Sequence, residues 1–203
     1  MKDTKMATNS KPENSAAKVR PWALRKILLS AAVSIFLPAA AMAQAGTTGA
    51  AAASTHLSAQ DMQFIHTAAP AGLSEVQEGQ LAQSKGDSAV QKIGARMVAD
   101  HTRINQQLSS LAQTKGVTVP SSVTNVQAAQ AAQLKEMGGA SFDRLYLRDQ
   151  RRAHEQAIKL FQTEAQNGTD ADLKKFASTT LPTLQEHLQM IETAQKQAAN
   201  TSA

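Results

Sequence analysis

The sequence contains histidines, which can bind transition metals, in each of its long amphipathic segments. His101, His154 and His187 each lie near the middle of a separate amphipathic segment, and Glu75 lies at a similar depth in another. Neutral imidazole is a good ligand for zinc, copper and iron, and a carboxylate can add a ligand or orient one. The pattern predicts a transition-metal site (Fe, Cu, Zn or Mn) formed by Glu75, His101, His154 and His187. His66 lies nearer the end of its segment and fits this group less well.

A metal-free interpretation explains the same residues. The imidazoles could be satisfied by hydrogen bonds to Glu75, Asp149 or Tyr146, or could lie at the edge of an apolar stripe and face water. The sequence alone therefore leaves open whether any cofactor is bound, and it assigns no catalytic residue.

The motif of di-iron bundles is missing. Those sites use Glu-x-x-His on two helices, whereas Val98 precedes His101 by three residues and Leu184 precedes His187 by three. Asp100 and Glu186 adjoin these histidines, but neighbours on a helix point about 100° apart. We therefore expect neither carboxylate to share an inward face with the histidine beside it, and a standard di-iron centre is not predicted.

The segments that carry these residues have the three-and-four spacing of buried helical faces, and none alternates with period two. Turn and cap residues separate them at Lys85-Gly86-Asp87 and Asn167-Gly168-Thr169-Asp170. The predicted long helices cover residues 58–84, 88–115, 141–166 and 171–198, with a short amphipathic piece at 123–137. The connection between the second and third long helices, residues 116–140, is long enough to run back along the bundle. Two helical hairpins joined in this way predict an all-α fold, a ferritin-like four-helix bundle whose crossover contains a short helix.

Proline and glycine qualify this prediction. Pro70 and Pro182 fall inside helical patterns, so we expect a kink or an early break at Pro70 and a bend at Pro182. Gly72 and Gly79 share the inward stripe of the first helix and indicate either close approach of a neighbouring helix or a cavity.

The N-terminal region predicts export. Arg20, Arg25 and Lys26 precede an apolar run of about 14 residues, too short for the roughly 20 needed to cross a bilayer, and Ala41-Met42-Ala43 is a small-x-small cleavage signal. We predict a signal peptide at 1–43, a disordered Gly/Ala/Ser/Thr-rich tail at 44–57 and the helical domain at 58–198. The expected location is periplasmic or secreted, with no transmembrane span in the mature chain.

The basic character of the chain belongs to this leader. The whole sequence has 21 basic and 16 acidic residues, and residues 1–43 hold seven and two of them, so 14 of each remain. A mature chain without net charge does not favour nucleic acid as a partner. With no cysteine in the sequence, a disulfide framework is excluded, and stability must come from an aliphatic core.

The sequence also resembles a bacterial domain-of-unknown-function family, number 4142, over roughly residues 57–197. The residues that carry the resemblance are Asp61-x-x-Phe64, Glu75-Val76-x-x-Gly79-x-Leu81-Ala82, Met97-x-x-Asp100-His101, Tyr146 with His154, Phe176-Ala177 with Leu181-Pro182, and His187-Leu188. The resemblance implies a ferritin-like fold, export and association with the outer membrane, and it makes Asp100, His101, His154 and His187 family-like positions. No activity is established for that family.

Two functions follow as hypotheses. The first is an exported, non-enzymatic helical-bundle protein that acts in cell-envelope or stress physiology through contacts with a protein or envelope partner. The alternative is a transition-metal-binding or metal-dependent redox protein with a His/carboxylate site inside the bundle.

Overall fold

A computed structural model describes residues 56–201, which form five α-helices and no β-strand. The helices are α1 (Ala59–Lys85), α2 (Ser88–Thr114), α3 (Asn125–Glu136), α4 (Gly139–Asn167) and α5 (Ala171–Thr201). The all-α prediction is confirmed, and the predicted helix boundaries agree to within three residues. The predicted signal peptide and nearly all of the predicted tail lie outside the described residues.

The helix starts follow the capping chemistry of the sequence. Ser58 and Asp61 form a reciprocal capping box at the start of α1, and the Asp87 carboxylate accepts from two backbone amides at the start of α2. Asp170 does the same for the first turn of α5. Of the two outcomes expected at Pro70, the early break is wrong, because α1 continues through Pro70 as α5 does through Pro182. A kink at Pro70 and a bend at Pro182 stay predictions.

The long helices pack as two hairpins. The most extensive contacts join α1 to α2 and α4 to α5, and further contacts join α1 to α4 and α2 to α5. The short helix α3 lies in the connection between the hairpins and packs against α1 and α4.

Within the first hairpin, α1 and α2 approach very closely. A Cβ atom added to Gly94 would lie 2.6 Å from the Gly79 carbonyl oxygen, and one added to Gly72 would meet the Asn105 side chain. The predicted close approach is confirmed at Gly79, and Gly94 is its counterpart on α2. Gly72 faces the Asn105 side chain and also lines a cavity, which was the other expectation for these glycines.

The buried side chains divide into two apolar clusters. The first apolar cluster contains Phe64, Ile65, Ala68, Ala69, Ile104, Leu108, Ala112, Phe161, Leu173, Phe176, Ala177 and Leu184. The second apolar cluster contains Ala82, Val90, Ile93, Met97, Leu134, Phe142, Tyr146, Leu147, Ile191 and Ala194. From their first to their last residues, α1 and α5 pass from the first cluster to the second, whereas α2 and α4 pass from the second to the first. Helices α2 and α4 are therefore parallel to each other and antiparallel to α1 and α5. The connection between α2 and α4 must therefore return along the helices.

A layer of buried polar side chains separates the two clusters. On α2, for example, His101 lies between Met97 of one cluster and Ile104 of the other, and the same alternation occurs on α1, α4 and α5. We call these residues the polar layer: Ser74, Glu75, Glu78, His101, Gln150, His154 and His187. The interruption of an apolar core at one height on all four long helices makes this layer the candidate functional site.

None of the helices within the described part of the chain combines the length and apolar character that a membrane-spanning helix needs.

Candidate metal centre

Three imidazole rings from three helices meet in the polar layer. The ring centroids of His101 on α2, His154 on α4 and His187 on α5 form a nearly equilateral triangle, with sides of 5.3, 5.4 and 5.6 Å. One nitrogen from each ring lies within 4.8 Å of the other two, and all three side chains are buried. The structure thus brings together three of the four residues predicted as ligands.

The hydrogen-bond partners of two rings define their tautomers. His154 Nδ1 lies 3.0 Å from the Gln150 carbonyl oxygen, which can only accept, so Nδ1 carries the proton. His187 Nε2 lies 3.0 Å from Asp100 Oδ2. Partial burial opposes ionisation of Asp100, but hydrogen bonds from His187 and Arg96 hold its pKa below the ordinary value. Asp100 is therefore an acceptor, and His187 Nε2 carries the proton.

The remaining nitrogens of these two rings face each other. His154 Nε2 and His187 Nδ1 are 3.3 Å apart, and in the neutral tautomers both carry a lone pair and no proton. His101 Nε2 is buried and has no hydrogen-bond partner. Two unprotonated nitrogens therefore face each other beside a third ring whose Nε2 has no partner.

Burial keeps these rings neutral. Desolvation lowers the pKa of His154 to about 4, and it lowers the pKa of His101 well below the ordinary value, with His154 and His187 acting in the same direction. The pKa of His187 is also lowered by burial, although its hydrogen bond to Asp100 opposes the shift. At neutral pH a proton shared between His154 and His187 is disfavoured.

Asp100 contacts a histidine with which the sequence did not pair it. It does point away from His101, its neighbour on α2, but that direction brings it to His187 on α5. Arg96 forms an ion pair with the same carboxylate, and Arg103 Nη2 lies 3.5 Å from Asp100 Oδ1. Asp100 thus holds the orientation of a histidine 87 positions away.

The hydrogen-bond partners suggested for the metal-free interpretation are not those observed. Glu75 Oε1 lies 3.9 Å from His154 Nδ1, which is beyond hydrogen-bond distance. The Tyr146 hydroxyl has no partner, and Asp149 forms an ion pair with Arg148.

Glu75, the fourth predicted ligand, lies in the polar layer but apart from the three converging nitrogens. It approaches the Nδ1 side of His154, whereas the other nitrogen of that ring faces His187. Burial raises the pKa of Glu75 to about 8, against a hydrogen bond from Gln150, and burial together with the charge of Glu75 raises that of Glu78 to about 7. Sequence reasoning missed Glu78 and Gln150, although Glu78 follows Glu75 by three residues and Gln150 precedes His154 by four.

A cavity of about 570 Å³ reaches the polar layer from the side on which α3 lies. Its lining includes Glu75, Glu78, His101 and His154, together with Thr124 and other residues at the start of α3. His66, which fitted the predicted site less well, is exposed at this cavity. The imidazole triangle is therefore buried within the protein but adjoins a space that can admit an ion.

Comparison with known proteins supports the fold and gives no activity. One structural neighbour is a crystal structure of a DUF305 fragment from Deinococcus radiodurans, with 13% sequence identity, a TM-score of 0.60, and coverage of 67% of this chain and 95% of that chain. This likeness concerns the fold alone. No curated protein sequence matches the chain. The model of DUF4142, a domain of unknown function, matches residues 46–194, and the chain therefore belongs to the DUF4142 family.

Proposed function

We propose that the protein is an exported ferritin-like helical bundle that binds one transition-metal ion through His101, His154 and His187. The observation that carries the proposal is the pair of opposed lone pairs on His154 Nε2 and His187 Nδ1, 3.3 Å apart. Metal–imidazole bonds of about 2.0–2.1 Å at tetrahedral angles separate two ligand nitrogens by about 3.3 Å. The spacing thus suits two ligands of one ion.

Other features of the site support the same proposal. His101 Nε2 has no protein partner and would supply the third nitrogen. The hydrogen-bonded pair of Asp100 and His187 has the carboxylate–histidine arrangement that orients a histidine ligand in metal sites and raises its basicity. Three neutral nitrogens favour copper or zinc over manganese, and three protein ligands leave a coordination position open.

The proposed location is based on the N-terminal sequence. The predicted signal peptide at 1–43 would place the protein in the periplasm or outside the cell, and the bundle architecture rests on the two hairpins and their crossover. We propose a binding role in the cell envelope without an assigned catalytic residue.

The test is metal binding by the purified protein, measured by calorimetry and thermal melting with Cu²⁺, Zn²⁺, Fe²⁺ and Mn²⁺ in turn. We expect one tightly bound Cu²⁺ or Zn²⁺ per chain and weaker Mn²⁺ binding at this centre. At a free ion concentration 100 times the Kd, binding should raise the free energy of unfolding by about 2.7 kcal/mol. An absence of binding and of any shift in Tm would reject the proposal, and contacts with an envelope partner would remain as the hypothesis.

The decisive variant is His101→Leu. An apolar side chain of similar size removes the unpartnered nitrogen, so the metal-free protein should keep or gain stability while affinity for Zn²⁺ falls at least 100-fold. Loss of affinity without loss of stability cannot be attributed to misfolding. His66→Ala is the matched control, because His66 is exposed and lies outside the triangle; it should bind as the wild type does.

A further inference from the structure

Glu75 and Glu78 form a buried carboxyl pair that the histidine centre does not use. They are three residues apart on α1, and their residues are only 7% and 8% exposed. Within residues 56–201, neither carboxyl forms an ion pair with a lysine or arginine. Burying two carboxylates without a compensating positive charge is costly, so the pair needs protons or a cation.

The groups around the pair leave oxygen atoms without partners. Ser74 Oγ and Gln150 Nε2 each donate to Glu78, at 3.0 Å. The Oε1 atom of the same Gln150 amide has no hydrogen-bond partner although Gln150 is fully buried. Glu75 Oε2 and the buried Tyr146 hydroxyl are likewise unpartnered.

The chemistry of these atoms points to a cation. The carbonyl oxygen of Gln150 can only accept, and an ionised Glu75 can only accept. A single proton on Glu75 joins two oxygen atoms at most, whereas unpartnered buried oxygens belong to Glu75, Gln150 and Tyr146. A divalent ion, by contrast, satisfies several oxygen acceptors at once, and two carboxylates balance its charge.

The cluster is distinct from the imidazole triangle. Glu75 approaches the Nδ1 side of His154, whereas the triangle forms around His154 Nε2. Both Glu75 and Glu78 line the cavity that also reaches His101 and His154. An ion could therefore reach either group from the same space without passing through the other.

We propose that Glu75, Glu78 and the Gln150 carbonyl oxygen, with Tyr146 beside them, form a second cation site that takes a hard divalent ion such as Mn²⁺. Oxygen donors of this kind suit Mg²⁺, Ca²⁺ and Mn²⁺, whereas the three imidazoles suit copper or zinc. The proposal rests on its own atoms and does not require that the histidine centre binds metal.

The test is a titration of the purified protein with Mn²⁺, in which free Mn²⁺ is measured by electron paramagnetic resonance. We expect one bound Mn²⁺ per chain and at least a 100-fold loss of affinity in Glu75→Gln/Glu78→Gln. The amides keep the shape of the side chains and remove two buried carboxyls, so this variant should fold, which circular dichroism and Tm will show. Lack of Mn²⁺ binding by the wild type at millimolar concentration, or unchanged binding by the double variant, would overturn the proposal.

Crossed controls separate this site from the histidine centre. His101→Leu should lose Zn²⁺ and keep Mn²⁺, and Glu75→Gln/Glu78→Gln should lose Mn²⁺ and keep Zn²⁺. Loss of Mn²⁺ in His101→Leu would place that ion at the imidazoles and overturn the second site. Binding of Mn²⁺ without any Zn²⁺ would support the second site while rejecting the histidine centre, so the two proposals fail independently.

Discussion

His154 and His187 face each other with lone pairs, Nε2 to Nδ1, across 3.3 Å. Each ring is fixed in this tautomer by a partner on its far side, the Gln150 carbonyl oxygen for one and the Asp100 carboxylate for the other. In the metal-free site, two lone pairs therefore repel each other at a distance that the surrounding helices impose. Unfavourable contacts of this kind in a buried position are more typical of a binding site than of a structural core.

Asp100→Asn should weaken metal binding while leaving the three ligands in place. The amide can present its NH₂ group to His187 Nε2, which favours the tautomer with the proton on Nδ1, the nitrogen proposed to bind the ion. We expect a 10- to 100-fold loss of Zn²⁺ affinity, as for other partners of metal-bound histidines, measured by calorimetry. Glu155→Gln, which removes a partly exposed carboxylate paired with Arg151, should bind normally. Equal affinity in Asp100→Asn and wild type would contradict the tautomer assignment.

Gly94→Ala should destabilise the protein although alanine is the better helix former. In an open helix this change would stabilise by up to about 1 kcal/mol. Here the new Cβ would lie 2.6 Å from the Gly79 carbonyl oxygen and 2.7 Å from Ala82 Cβ, so we expect a loss of about 1–3 kcal/mol in urea unfolding. Gly138→Ala meets open space and should change stability by no more than about 1 kcal/mol. Stabilisation by Gly94→Ala would show that α1 and α2 can separate.

Asp61 ties the start of α1 to the turn between α4 and α5. Its buried carboxylate accepts from Ser58, from the backbone and hydroxyl of Thr169, and from the amide of Asp170. Asp61→Asn places an NH₂ group among donors, and we expect a loss of about 2–4 kcal/mol in chemical unfolding. Asp172→Asn, at a largely exposed carboxylate, should cost no more than about 1 kcal/mol. If Asp61→Asn lost no more stability than Asp172→Asn, Asp61 would not be the link between α1 and the α4–α5 turn.

Glu164 should make the protein less stable as the pH rises. Burial raises its pKa from 4.5 to about 7, Asp61 and Asp170 act in the same direction, and a hydrogen bond from Gln60 opposes them. Between these two values the unfolded chain has lost the proton that the folded chain retains, so the free energy of unfolding falls as the pH rises through this window.

Glu164→Gln has no buried carboxyl to ionise. The free energy of unfolding of the variant minus that of the wild type should therefore rise by about 1–3 kcal/mol between pH 4 and pH 8. Urea unfolding across that range is the measurement. Glu136→Gln, at an exposed position, serves as control and should follow the wild-type curve. A difference between Glu164→Gln and wild type that does not vary with pH would contradict the assignment.

Much of the fold could be predicted because helix starts depend on local chemistry. The capping box at Ser58 and the caps at Asp87 and Asp170 use side chains and amides within three residues of each other. Counting residues along each helix from such caps also placed His101, His154 and His187 at one height. At Pro70 the local rules left a kink or an early break open, and the break is wrong because α1 is continuous through that buried residue.

The details of the site could not be predicted in the same way. The bond between Asp100 and His187 depends on the rotation of α2 relative to α5, and nothing in the local sequence encodes that angle. The unpartnered oxygen of Gln150 is similarly a result of packing between α4 and α1. Sequence spacing identified which residues share a height, and only the packed helices define which atoms meet.

The polar layer also bears on how the helices find their alignment. Apolar side chains form no hydrogen bonds that a shift along the helix axis would break. If one helix moved by one turn, about 5.4 Å, its imidazole or carboxyl groups would enter an apolar cluster and lose their partners, at a cost of several kcal/mol. The layer that forms the candidate binding sites thus also selects one register among several that an entirely aliphatic core would allow.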